Sequence, residues 1–120
     1  MSMNDDAYSL LMKGRELLRD RHSHQAAIVL ERAVVLEPEK TSIRESLARA
    51  LFNSGQTAKA KEQFQIMVDA DPSNDYAHFG LALCQAKTGE HRAATGHLKI
   101  AVAMRPDSEI YRTALSVLGG

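Results

Sequence analysis

The chain has 120 residues, with 15 Lys and Arg against 15 Asp and Glu and a pI near 7.0. So even a balance excludes the bulk cationic face with which proteins hold nucleic acid or an anionic membrane surface, and the length suits one domain. No apolar run approaches the ~20 residues a membrane-spanning helix needs, and the single cysteine, Cys84, has no partner for an internal disulfide, which fits a reducing compartment.

The N-terminal MSMNDDAYSLL lacks the basic flank and long apolar run of a signal peptide, so residues 1–6 read as a short extension and the chain as cytoplasmic. From Ala7 onward the sequence repeats itself. The only prolines, Pro38, Pro72 and Pro106, stand 34 residues apart, and at the same offset small residues recur at Gly14, Ala48 and Ala82 and again at Ala26, Ala60 and Ala94. Leu30, Phe64 and Leu98 form a large apolar column, and Ala33, Met67 and Ala101 a further one. Equal spacing of helix-ending residues together with matched columns marks a repeated unit.

The first unit spans 7–40, the second 41–74 and the third 75–108. Each reads as two helices. The second helices carry apolar residues at i, i+3, i+4 and i+7 in AAIVLERAVVL, AKAKEQFQIMV and AATGHLKIAVA. DRHS, SGQT and TGEH separate the paired helices, with Arg21 standing where the later units have Gly55 and Gly89. Helix starts are expected at Ser42, with Glu45 at capping-box spacing, at Asn74, and at Asp107 or Ser108. Small side chains where paired helices meet let the axes approach, and Leu30, Phe64 and Leu98 fill the space between layers. The five methionines are expected mostly at such layer positions. Residues 109–118, EIYRTALSVL, form a seventh helix with Ile110, Tyr111, Ala114, Leu115 and Leu118 on one face, suited to cap the stack. Val117 falls outside that face.

A 34-residue unit with small–small packing and a closing proline resembles the tetratricopeptide repeat (TPR) over residues 7–108, three units plus a cap. Lys13 in place of Leu47 and Leu81, Gln85 in place of Leu17 and Leu51, and Arg21 in place of glycine depart from the pattern. The resemblance implies an all-α, right-handed superhelix of seven helices whose first helices line a concave groove. On the family pattern that groove holds Tyr8, Leu11, Met12, Arg15 and Arg19 from the first unit. The second gives Ser42, Glu45, Ser46, Arg49, Phe52 and Asn53, and the third Tyr76, Phe79, Gly80, Leu83 and Lys87. Aromatic anchors interleaved with basic residues suit a peptide segment of a partner protein, so an interaction scaffold or adaptor is expected, and no enzyme, since no nucleophile, base and orienting group share a site in the sequence. The plain alternative has these side chains packing on their neighbours, with Arg49 paired to Glu45.

Family members that grip the carboxylate tails of chaperones do so with a clamp of lysine, asparagine and arginine. The matching places here are Leu11, Arg15, Ser46, Tyr76 and Gly80, of which only Arg15 could contribute, so tail binding is not expected. The second reading is self-assembly into homo-oligomers through the cap or groove. No cofactor or metal is expected: His22, His24 and His91 lie in inter-helix turns without cysteine or carboxylate partners at ligand spacing. His78 and His97 read as ordinary partly buried residues, and Cys84 as a buried inert thiol.

Overall fold

The computed structural model describes residues 6–119. They form seven helices, α1 (Ala7–Arg19), α2 (Ser23–Leu36), α3 (Thr41–Asn53), α4 (Thr57–Ala70), α5 (Asp75–Lys87), α6 (His91–Met104) and α7 (Glu109–Leu118), with no strand among the described residues. Residues 1–5 of the extension read at 1–6 lie outside them.

The helix ends follow from local chemistry. α2, α4 and α6 each stop two residues before their proline, because a proline ring pushes the preceding residue out of helical geometry. Glu37 and Arg105, just ahead of Pro38 and Pro106, have φ of −138° and −135°. Between paired helices the chain turns through a left-handed residue: Gly55 at φ 82°, Gly89 at φ 84° and, in the first unit, Arg21 at φ 63°. Arginine thus occupies a conformation that glycine adopts without penalty. Asn74 and Ser108 cap α5 and α7 by accepting the N–H of Ala77 and of Tyr111. The capping box expected at Ser42 does not form. α3 begins one residue earlier, and Lys40 at its N-cap makes no side-chain bond.

The chain divides into two compact units between Gln63 and Phe64, inside α4. In unit one α1 packs on α2, and α3 on both. Its core includes Leu10, Leu11, Ala26, Leu30, Leu47 and Leu51. Gly14 is there for Leu30: a Cβ at Gly14 would come within 2.5 Å of that side chain.

In unit two α6 packs on α5 and α7 on α6. Phe64, 2% exposed, fills the place beside Gly80, where an added Cβ would meet its ring at 2.2 Å. α7 covers the Ala82–Ala94–Leu98 cluster with Ala114, Leu115 and Leu118. Ile110, expected on that covering face, is instead exposed, because α7 turns Tyr111 inward. Among the described methionines only Met67 is buried, while Met12 and Met104 are exposed.

One polar contact repeats with the sequence period. In unit one Arg44 donates from Nη2 to the Pro38 carbonyl at 2.8 Å and from Nη1 to Gln63 Oε1 at 2.6 Å. In unit two Arg112 donates to the Pro106 carbonyl at 2.6 Å. The column between them holds His78, whose Nε2 donates to the Pro72 carbonyl at 2.8 Å. Its Nδ1 meets His97 Nδ1 at 2.9 Å, and His97 occupies the column of Gln63. Burial, then the neighbouring His78, holds the His97 imidazole below its ordinary value.

Candidate functional site

In unit one Asp6 fixes the start of α1 by accepting the Ser9 N–H at 2.7 Å. From that start Tyr8, 71% exposed, and Met12 fall on the solvent side with Arg15 and Arg19. Leu11 does not: at 8% exposure it belongs to the core with Leu10 and Gly14, because the buried face of α1 is wide enough to include it. On α3, Ser46 is buried between Ile43 and Ala50, whereas Arg49, Asn53 and Ser42 are exposed and Glu45 and Phe52 half-buried.

In unit two the expected residues converge on an aromatic run. The Tyr76 ring meets Phe64 edge-on at a centroid distance of 6.0 Å and Phe79 at 6.2 Å, and Phe79 lies 5.0 Å from Tyr111. Such tilted and edge-on arrangements suit the ring quadrupoles. Tyr76, Phe79 and Leu83 are half-buried and Lys87 is exposed. Gly80 is buried, its missing side chain serving Phe64. The two readings of the aromatic residues therefore combine: one edge of Tyr76 and Phe79 packs inward and the other meets solvent.

Two open concavities flank Phe79. One, of about 440 Å³, is lined by Phe79, Ile110, Thr113, Ala114, Val117 and Leu118, with Glu109 as its charged residue. The other, of about 380 Å³, has Tyr76, Phe79, Ile110 and Tyr111 on its wall with Asp75, Arg105, Asp107 and Ser108 at its polar side. There Tyr111 donates its hydroxyl to Asp75 Oδ2 at 2.6 Å, and Arg105 Nε lies 3.4 Å from the same oxygen. Burial first, and then the hydrogen bond to Asp75, raises the Tyr111 phenol well above its ordinary value. Asp75 is thus a compensated carboxylate beside an apolar wall.

Ile110 and Val117, 67% and 72% exposed, were missing from the expected site. The signal was available: one 34-residue step relates them to Tyr76 and Leu83. Among the described residues no helix is long and apolar enough to cross a membrane.

Comparison with known proteins supplies the rest. The family pattern described as Tetratricopeptide repeat matches residues 11–56 and 45–109. A TPR repeat-containing thioredoxin, TTL4, from Arabidopsis thaliana is 28% identical over 107 residues, covering 89% of this chain but only 16% of the relative's length. The Sgt2 TPR domain from Aspergillus fumigatus superposes with a TM-score of 0.86 at 18% identity, over 94% of this chain and 76% of that one. The first TPR of Spaghetti (RPAP3), bound to an HSP90 peptide, gives 0.88 at 15% identity, over 94% and 90% of the two chains. At these identities the superpositions speak for the fold alone, and the fold is that of TPR solenoids. With the family pattern matched along most of its length, the chain belongs to the tetratricopeptide repeat family.

Proposed function

We propose that this chain is a protein–protein interaction module that binds a peptide segment of a partner through its first-helix surfaces. The tetratricopeptide fold is commonly such a module, generally without catalysis. Residues 7–40, 41–74 and 75–108 serve as the three repeats in this reading, and 109–118 as the cap. The observation that carries it is the half-exposed pair Tyr76 and Phe79, opening with Ile110 and Val117 onto two concavities. Exposed apolar concavities mark partner sites. Unit two also offers Lys87, exposed at the end of α5, and unit one, taken by itself, offers Tyr8, Met12, Phe52 and Asn53 with Arg15, Arg19, Arg49 and Glu45. The segment that suits this chemistry carries bulky apolar residues for the aromatic wall, with an acidic residue to meet Lys87 and a basic one to meet Glu109 or Asp107.

A random peptide library displayed on phage tests the reading. Selected peptides should be rich in apolar residues, and the combined Lys87→Ala, Ile110→Ala and Val117→Ala chain, changed only at exposed side chains, should lose them while keeping its helical melting curve. Peptides retained by that variant, or none selected by the parent chain, would refute the proposal. Amidating the peptide C-terminus should leave binding unchanged, since only Arg15 matches the carboxylate clamp.

Self-assembly is the second reading, favoured by the exposure of Ile110 and Val117 on α7. Sedimentation at several concentrations separates the two, and a Val117→Glu chain that stays associated would count against α7 as the contact.

A further inference from the structure

The His78–His97 pair does more than the arginine junctions that share its columns. Arg44 and Arg112 also hold a proline carbonyl, but a guanidinium has no lone pair to offer. His78 is 4% exposed and its Nε2 must be the protonated nitrogen, because the Pro72 carbonyl only accepts. That tautomer leaves Nδ1 of His78 as a bare acceptor, aimed at His97 Nδ1 at 2.9 Å. A histidine whose far N–H is pinned on a backbone carbonyl is the arrangement that orients metal-ligating imidazoles.

The spacing fits as well. With metal–nitrogen bonds of about 2.0–2.1 Å, two adjacent ligands on one cation stand roughly 2.9–3.4 Å apart, from right-angle to tetrahedral geometry. The observed separation falls within this range, but the His78 lone pair points along the hydrogen bond, so the His97 nitrogen has to swing off that line before both face one cation. His97, half-buried and stacked on His78 at a centroid distance of 5.1 Å, is the ring that has to tilt, because His78 is held by the Pro72 carbonyl.

We propose that Nδ1 of His78 and Nδ1 of His97 form a two-imidazole site for a borderline transition cation, Ni²⁺, Cu²⁺ or Zn²⁺. Binding replaces the hydrogen bond between the rings, and the proton on His97 Nδ1 moves through solvent to its own Nε2, so the neutral pair keeps its proton count. Among the described residues no group of three His, Cys, Asp or Glu could hold a metal ion. Water therefore completes the coordination, entering from the side of the half-buried His97. Imidazole nitrogen selects against Mg²⁺ and Ca²⁺, which take oxygen ligands.

Isothermal titration of the untagged full chain with NiCl₂ tests this, with MgCl₂ as comparison. The expected result is one Ni²⁺ per chain, no Mg²⁺ uptake, and a loss of at least about tenfold in Ni²⁺ affinity in His97→Gln. That substitution copies the residue at Gln63 in the preceding junction, so the bond to His78 Nδ1 can persist and circular dichroism should be unchanged. The His22→Ala, His24→Ala double variant should bind as the parent does. Equal binding by His97→Gln, loss in the double variant, or no Ni²⁺ uptake by the parent overturns the site. Nitrogen-detected NMR of the parent with Zn²⁺ gives a reading independent of any variant. The Nδ1 signals of His78 and His97 should move together, and movement confined to His22, His24 or His91 overturns the proposal.

Discussion

Adding one methyl group to a helix glycine should have opposite signs at two places in this chain. Alanine is favoured over glycine inside a helix by about 1 kcal/mol. Gly96 lies exposed in α6 with nothing within 4 Å of an added Cβ, so Gly96→Ala should realise that gain in full. Gly80 lies in α5 with the Phe64 ring at 2.2, 2.4 and 2.5 Å from the same added atom. Phe64 cannot swing aside cheaply, because it is buried and its ring is stacked edge-on against Tyr76. Overpacking of this kind costs about 1–3 kcal/mol. Setting the propensity gain against it leaves Gly80→Ala destabilised by up to about 2 kcal/mol, a separation of roughly 1–3 kcal/mol between the two variants. Urea unfolding followed by circular dichroism resolves a difference of that size. Should Gly80→Ala gain as much as Gly96→Ala, the idea that Gly80 exists to admit Phe64 is wrong.

Arg21→Gly should stabilise the chain by about 0.5–1 kcal/mol, since the position is left-handed at φ 63°; thermal melting reads the gain. Gln85→Leu should raise the unfolding free energy by about 1–2 kcal/mol, read as a higher urea midpoint, because the Gln85 side chain is buried and its Oε1 has no partner among the described residues. Tyr111→Phe removes the hydroxyl bonded to Asp75 and should cost about 1–2 kcal/mol near neutral pH. The same phenol gives an alkaline signature. Its folded value is raised above the ordinary 10.0, so its contribution is complete below that pH and is lost as the pH climbs through the folded value. Midpoints at about pH 9 and about pH 11 should diverge more for the parent than for Tyr111→Phe.

The period of the fold was legible because Pro38, Pro72 and Pro106 end helices by covalent geometry, which no tertiary contact overrides. Asn74 and Ser108 were legible as caps for a similar reason: short polar side chains reach the first free N–H groups. Angular position around a helix was harder. Leu11, Ser46 and Gly80 fit the groove pattern by spacing, yet the width of the buried face depends on neighbours such as Phe64 and Leu30. Ser42 failed as a cap because Thr41 already continues the helix, which spacing to Glu45 does not reveal. The pairing of His78 with His97 joins residues on α5 and α6, and only comparison with the columns of Arg44 and Gln63 could have hinted at it.

The division between Gln63 and Phe64 bears on how such chains are cut and recombined. A fragment ended at the proline-marked border would carry Phe64 away from Gly80 and Tyr76 and strand a bulky ring in water. Chimeras between relatives should therefore be spliced half a period out of phase with the prolines, within α4, so that each donor segment brings the partner its aromatic plug requires.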